Sequence, residues 1–159
     1  MVLTTLHACG YRPLEGGAGP DGTQQVHVAG ITNDTFNPGI QATVSAAIVR
    51  QLRFNTRIRL ADEAAADLVL SGRVTSYQSD AIVFNVQDIG RRYRVRVILL
   101  ATLAGRSGSP VRLTQEVSGE AYYTTGSTAA DTRAAEQEAT QRAAQDLARQ
   151  LVALLVEEL

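Results

Sequence analysis

Residues 93–104 read YRVRVILLATLA, and this stretch decides the fold of the chain. Its odd-numbered side chains are apolar or aromatic, namely Tyr93, Val95, Val97, Leu99, Ala101 and Leu103. The opposite side begins with Arg92, Arg94 and Arg96 and becomes apolar at Ile98. An alternation with a period of two is typical of a β-strand that buries one face. The stretch therefore predicts a strand whose far half is covered on both sides.

The segments that flank this strand predict further strands. The sequence GRSGSP at residues 105–110 is rich in turn formers and predicts a hairpin. Residues 111–123 then return as a strand, with one polar face formed by Arg112, Glu116 and Glu120. Cross-strand Arg–Glu pairs are expected on that face. Upstream, residues 67–77 alternate as another strand, and residues 79–88 either extend it or form a hairpin arm.

An earlier strand and helix precede these elements. Residues 24–31 alternate modestly and predict a first strand, and the run NDTFNPG at residues 33–39 predicts a turn. A helix is expected to follow and to end near Arg53, because apolar side chains recur every four residues at Ile40, Val44, Ile48 and Leu52. Asn37 and Pro38 fit the helix cap and the first-turn proline.

The carboxy-terminal part predicts a long helix. Residues 129–159 are rich in alanine, the best helix former, and Asp131 fits a cap or a dipole-complementing residue near the start. The apolar stripe of this helix comprises Leu147, Leu151, Leu154 and Leu155. Residues 56–60 are expected to be at most a short extended piece.

These elements predict an α+β fold with the order strand-helix-strand-strand-strand-helix. We expect a two-layer sandwich in which a mixed four-stranded sheet carries both helices on one face. The first helix can cross over between parallel strands, and the later strands should form antiparallel hairpins.

Composition narrows the classes of function. The 159 residues carry a net charge of −1, which excludes the bulk basic field that nucleic-acid binding needs. All 15 basic residues are Arg. This reflects either coding bias or a use of guanidinium groups on phosphate. The single cysteine, Cys9, excludes an internal disulfide and a cysteine-based zinc site.

The chain lacks the motifs of common enzymes. It has two histidines and contains no Gly-x-Ser-x-Gly, no P-loop and no dinucleotide-binding glycine motif. His27 fits an ordinary exposed strand residue, and a lone histidine does not make a metal site. We therefore expect a non-enzymatic protein without a cofactor or a metal.

The amino terminus carries a lipidation signal. Leu6-His7-Ala8-Cys9 has the shape of a lipobox, in which a small residue permits cleavage before an acylated cysteine, although His7 is unusual there. The alternative is a chance cysteine near the terminus. We interpret residues 1–8 as a residual signal peptide, 9–23 as a lipidated Gly/Pro-rich tether and 24–159 as one domain. No apolar run reaches the ~20 residues of a membrane-spanning helix, so the membrane would be reached through lipid or a partner.

The assembled pattern resembles the LptE family of lipopolysaccharide-assembly lipoproteins. The matching segments are CGYRPL at 9–14, TFNPG at 35–39, ADLVLSGRVTSY at 66–77, YRVRV at 93–97 and the final helix. The resemblance implies a lipid-anchored protein at the inner leaflet of the outer membrane. It also implies that the protein plugs and helps to assemble the LptD β-barrel, binds lipopolysaccharide and needs no cofactor.

The resemblance directs attention to arginines in two loops. Arg91, Arg92 and Arg133 are the candidate contacts for lipid A phosphates, because guanidinium groups bind phosphate through paired hydrogen bonds. The alternative is that they are solvated surface charges. Arg94 and Arg96 could instead face the barrel wall. A different class also stays open, namely an outer-membrane lipoprotein that acts as a periplasmic scaffold or activator without binding lipopolysaccharide.

Overall fold

The computed structural model describes residues 23–84, 90–106 and 110–159. Within them the chain forms five strands and two helices, in the order β1 Gln24–Asn33, α1 Ile40–Arg53, β2 Ile58–Leu60, β3 Leu68–Phe84, β4 Gly90–Gly105, β5 Val111–Thr124 and α2 Ala129–Glu158. The predicted bounds of α1 and β5 agree with these to within a residue. The segments 67–77 and 79–88, predicted as separable, join in the single long strand β3.

The strands form one mixed sheet in the order β2-β1-β3-β4-β5. β1 runs parallel to both β2 and β3, and α1 connects the parallel pair β1 and β2. β3, β4 and β5 are antiparallel neighbours. The α+β class, the helical crossover and the antiparallel hairpins are therefore confirmed.

Two details of the predicted fold are wrong or not confirmed. The sheet has five strands rather than four, because residues 58–60 pair with β1 from Gln24↔Ile58 to Val26↔Leu60. Three residues are too few for an alternation to stand out in the sequence. The two-layer sandwich is not confirmed either, because the five strands form a curled sheet.

The core lies between the helices and one face of the sheet. In β4, Val95, Val97, Leu99, Ala101 and Leu103 are all buried, as the alternation predicts. They meet the helical side chains Val44, Ile48, Leu52, Leu147, Leu151 and Leu155, which are also buried. On the opposite face Ile98 and Leu100 remain partly exposed. The predicted covering of both faces of this strand is therefore not confirmed.

The long helix α2 approaches β5 closely at Gly119. A Cβ atom at this position would lie 2.1 Å from the carbonyl oxygen of Ala143 and 2.4 Å from the backbone nitrogen of Leu147. Such distances are far inside van der Waals contact, so only glycine lets the helix backbone pack against the strand. The small side chains of Ala143 and Ala144, both buried, let α2 pack closely against the sheet.

The helix starts differ in how they are capped. α1 begins at Ile40 after Gly39, whose φ of 86° lies in the left-handed region that favours glycine. The predicted cap at Asn37 and Pro38 is therefore wrong. In α2, Thr128 accepts a hydrogen bond from the Asp131 N–H while the Asp131 carboxylate accepts one from the Thr128 N–H. This capping box confirms Asp131 as a residue of the helix start.

The sheet has two distinct ends. At the Gln24 end, β1, β2 and β3 begin and β4 finishes, as the pairings Gln24↔Ile58, Val26↔Leu68 and Leu68↔Gly105 show. At the Arg92 end, β4 begins opposite the last residue of β5, Thr124, and α2 starts shortly afterwards. Loops between strands and helix starts therefore gather at the Arg92 end.

Among the described residues, neither helix is long and apolar enough to span a bilayer.

Candidate functional site

The predicted lipidation residue Cys9 lies outside the described residues, as do the proposed signal peptide and most of the tether. Arg91 belongs to β4, but its side chain is also outside what the structure describes. Arg92 and Arg133 can be placed, and both are exposed near the Arg92 end of the sheet.

Arg92 borders a small cleft between β5 and α2, which we call the Tyr122 cleft. Its volume is about 430 Å³, and its lining consists of Arg92, Tyr122, Tyr123, Thr124, Ala135, Glu138 and Arg142. The Arg92 guanidinium carbon lies 5.0 Å from the centre of the Tyr122 ring, within the range of a cation–π contact. The ring therefore holds a cation at the mouth of the cleft.

Arg142 is the second cation of this cleft, and sequence reasoning missed it. Its Nη2 donates to the backbone carbonyl of Tyr122 at 2.8 Å, and its Nη1 meets Glu138 Oε1 at 2.5 Å. The side chain thus ties α2 to the edge strand. The available signal was the spacing of Glu138 and Arg142, four residues apart on one helix face. Nothing in the sequence indicated which strand that face would meet.

A larger groove lies on the other side of the first turns of α2, and we call it the Phe36 groove. Its volume is about 1100 Å³. Its walls come from three places, namely residues 34–40 with Thr43, residues 75–78 of β3, and Arg133, Glu136, Gln137, Thr140 and Gln141 of α2.

The loop that carries Phe36 is fixed by its own hydrogen bonds. The Asn33 side chain accepts from the backbone and hydroxyl of Thr35 at 2.9 and 2.8 Å, and it donates to the carbonyl of Asn37 at 2.9 Å. The Asn37 N–H donates to the Thr35 hydroxyl. Asp34 pairs with Arg73 of β3 at 3.0 Å. Asn and Asp side chains commonly stabilise turns in this way.

The opposite wall of the groove contains a hydroxyl network. The Tyr77 hydroxyl donates to Glu136 Oε1 at 3.3 Å and lies 3.0 Å from the Thr140 hydroxyl. Burial raises the pKa of Tyr77, and the nearby Glu136 carboxylate adds to that shift. Tyr123, 3.1 Å from Ser79, also has its pKa raised by burial. Both phenols therefore stay neutral and available as hydrogen-bond donors at physiological pH.

The arginines predicted to act together lie in separate clefts. Arg92 lines the Tyr122 cleft and Arg133 lines the Phe36 groove, so the amino-terminal half of α2 lies between them. On the open face of the sheet Arg96 pairs with Glu120 at 3.4 Å, which confirms a cross-strand Arg–Glu pair. Arg94 lies opposite Tyr122 and Asp80 on the neighbouring strands.

His27 has a structural partner. Its Nδ1 lies 3.2 Å from the carbonyl of Ala61, and it is partly buried rather than exposed. It lines neither cleft. Within residues 23–84, 90–106 and 110–159, no three His, Cys, Asp or Glu side chains lie close enough to hold a metal ion.

Comparison with known families gives one sequence match. A family model described as LptE, lipopolysaccharide-assembly, matches residues 23–155. The matched range includes every strand of the sheet, both clefts and α2 nearly to its end. No curated protein matches the chain in sequence.

Solved structures share the fold at low sequence identity. A protein from Xanthomonas campestris is 16% identical with a TM-score of 0.64, over 86% of this chain and 85% of that one. Rare lipoprotein B from Shewanella oneidensis is 13% identical with a TM-score of 0.58, over 84% and 95%. A minor lipoprotein from Acinetobacter baumannii is 11% identical with a TM-score of 0.52, over 84% and 91%. At these identities the likeness concerns the fold.

Proposed function

The chain belongs to the LptE lipopolysaccharide-assembly family, and from that premise we propose that it is a lipid-anchored component of the outer-membrane lipopolysaccharide translocon. In this role it binds lipopolysaccharide, and it plugs the LptD β-barrel and assists its assembly. The family is one of assembly lipoproteins rather than enzymes.

The observation that carries the lipopolysaccharide part of the proposal is the state of Arg92. Its guanidinium is exposed, lies on the Tyr122 ring and makes no ion pair with any residue that the structure describes. Arg133 is also exposed and unpaired within the same residues. Arg91 precedes Arg92 in β4. Uncompensated guanidinium groups near one end of a sheet suit the phosphates of lipid A.

The barrel part of the proposal draws on the open face of the sheet. That face carries Arg94 and Arg96 with partly exposed Ile98 and Leu100, an amphipathic surface that both helices leave uncovered. We assign it to contact with the barrel wall. Acylation of Cys9 supplies the membrane anchor, since two or three acyl chains give stable attachment at roughly 0.8 kcal/mol per buried CH₂.

Reversal of the three arginines tests lipopolysaccharide binding. The Arg91→Glu, Arg92→Glu and Arg133→Glu triple variant should bind purified lipopolysaccharide on the order of tenfold more weakly at low salt, because charge-assisted contacts become repulsive. The matched control reverses Arg53, Arg59 and Arg112, which are exposed elsewhere and change the net charge equally. An equal loss of lipopolysaccharide affinity in both variants would show that only net charge matters. Unchanged affinity in both variants would exclude the three arginines from the binding site.

Two further experiments separate the proposal from its alternative. Affinity purification of the tagged chain from outer membranes should recover a β-barrel of translocon size, whereas a scaffold of another pathway would not.

Cys9→Ala should move the protein to the soluble periplasm, or leave it attached only through the barrel. If the Cys9→Ala protein stays fully in the membrane fraction of a strain that lacks the barrel, acylation at Cys9 is refuted.

A further inference from the structure

Phe36 is placed where it contributes nothing to folding. Its relative exposure is 106%, whereas every residue of the buried core is below a tenth. Burial of apolar area is what stabilises a fold, so a fully solvated phenylalanine adds no stability. Yet the loop beneath it is held by the Asn33, Thr35 and Asn37 hydrogen bonds and by the Asp34–Arg73 ion pair. The ring is therefore held at the rim of the groove on a preorganised loop.

The groove combines polar and apolar surface in about equal measure, and its charged groups are few. Its walls carry mainly hydroxyl and amide side chains, including Thr75, Gln78, Gln137, Thr140 and Gln141. These groups both donate and accept hydrogen bonds. The carboxylates are already engaged, because Asp34 pairs with Arg73 and Glu136 accepts from Tyr77. Arg133 is the remaining cation of the lining.

We propose that the Phe36 groove binds sugar residues of a glycan, with one sugar ring packed on Phe36 and its hydroxyls bonded to the amides and hydroxyls of β3 and α2. This rests on the proposed function, in which lipopolysaccharide is the glycan-bearing ligand. The groove takes the oligosaccharide, and the separate Tyr122 cleft with Arg92 and Arg142 takes an anionic group.

The lining favours a sugar over the other parts of such a ligand. A phosphate held inside the groove would need several convergent cations, whereas the lining offers Arg133 alone and contains two carboxylates. The exposed Arg133 can therefore contact a lipid A phosphate at the edge of the groove but cannot hold one within it. An acyl chain would need a largely apolar channel, whereas about half of this lining is polar and its hydroxyls and amides would lose their water without replacement. A sugar ring has apolar C–H faces and a polar rim. It therefore matches an aromatic ring beside a hydroxyl and amide wall.

The experiment titrates the ¹⁵N-labelled 159-residue chain with lipid-free core oligosaccharide released from lipopolysaccharide by mild acid. Backbone resonances of residues 34–37, 75–78 and 136–141 should shift and saturate. In Phe36→Ala the apparent affinity should fall on the order of tenfold, because the stacking contact is lost. The fold should be unchanged, since the side chain buries nothing. Phe54→Ala is the matched control, because Phe54 is 77% exposed outside the groove.

The outcomes distinguish this proposal from the broader function. If intact lipopolysaccharide binds while the oligosaccharide leaves the groove resonances unmoved, the sugar site is refuted and the proposed function stands. If neither ligand binds, both fail. Inorganic phosphate that shifts the resonances of residues 34–37 and 75–78, on the walls away from Arg133, would show an anion site inside the groove and overturn the sugar assignment. A Phe36→Ala variant that keeps oligosaccharide affinity but loses a co-purifying protein would show that the ring contacts a protein partner.

Discussion

The two clefts beside α2 share one helix but differ in chemistry. The Tyr122 cleft is small, is lined by two arginines and contains a side chain that joins helix to strand. The Phe36 groove is more than twice as large, is mostly neutral and is bordered by an exposed ring on a fixed loop. The difference shows that residues on two faces of one helix can line clefts of different chemistry, because α2 lies between β3 and β5. The position of α2 is therefore the variable that both sites share.

The largest expected effect comes from moving α2 itself. Gly119→Ala places a methyl group against the helix backbone at Ala143 and Leu147, so we expect a loss of about 3 kcal/mol in unfolding free energy. Because α2 must shift, the NMR resonances of the residues that line both clefts should change together. Gly30→Ala is the control, since a Cβ atom there meets nothing within 4 Å. Equal stability of the two variants would contradict the close approach.

The capping box should have a smaller effect confined to the first turns of α2. Thr128→Ala removes the acceptor for the Asp131 N–H and should cost about 1 kcal/mol in urea unfolding. Arg133 and Ala135 come shortly after this cap and lie on opposite faces of α2, one lining each cleft. Amide hydrogen exchange should therefore become faster next to both clefts. Thr128→Ser, which keeps a hydroxyl acceptor, should retain most of the wild-type stability. An unchanged midpoint in the alanine variant would show that the cap is not formed in solution.

Arg142 tests the Tyr122 cleft alone. Arg142→Gln removes the ion pair to Glu138 and weakens the bond to the Tyr122 carbonyl. Since the side chain is half exposed, we expect a loss of at most about 1 kcal/mol. Resonances of residues 122–124 should shift while those of the Phe36 groove stay in place. Shifts of equal size in both clefts would contradict their independence.

The last effect concerns Tyr77, is no larger than the one expected at Arg142, and depends on pH. Tyr77→Phe removes hydrogen bonds to Glu136 and Thr140 and should cost up to about 1 kcal/mol at pH 7. Because the folded pKa of Tyr77 is raised above 10.0, the folded state retains its proton more strongly than the unfolded chain. Its contribution is thus fully present below pH 10 and is lost as the pH rises through the folded pKa.

The measurement for Tyr77 compares unfolding of the wild-type chain and the variant between pH 8 and about pH 11. The stability difference should shrink above pH 10. Tyr122→Phe serves as a control, because Tyr122 is exposed and lines the other cleft. If the stability difference between the two proteins stays constant or grows with pH, the pKa of Tyr77 is not raised by burial.

The fold was largely predictable because its periodic elements are long. The alternation in β4 and the four-residue repeat of α1 set the core, and the observed burial follows both patterns. β2 escaped detection because three residues carry too little periodicity. The cap of α1 was misplaced because Asn37 bonds within its own turn and Gly39 takes the left-handed conformation before the helix.

The candidate site was less predictable than the fold. Arg92 and Arg133 were predicted to lie in loops, whereas they belong to β4 and to the first turns of α2. Their assignment to different clefts depends on which sides of α2 face β3 and β5. Arg142 gained its role through a contact with a strand 20 residues earlier. Phe36 stood out only once its exposure was known, since an aromatic in a turn is as often packed as solvated.

The length of the sheet sets the distance between the proposed lipid anchor and the proposed phosphate contacts. The described chain starts at the Gln24 end, whereas Arg92 lies at the far end of β3, whose 17 residues span about 55 Å. A fully stretched segment from residue 9 to residue 23 reaches about 50 Å. If Cys9 is acylated as proposed, the domain can stand away from the bilayer with Arg92 far from the lipid headgroups. It can equally tilt until Arg92 reaches the same leaflet, so one anchored molecule would cover a range of heights above the membrane.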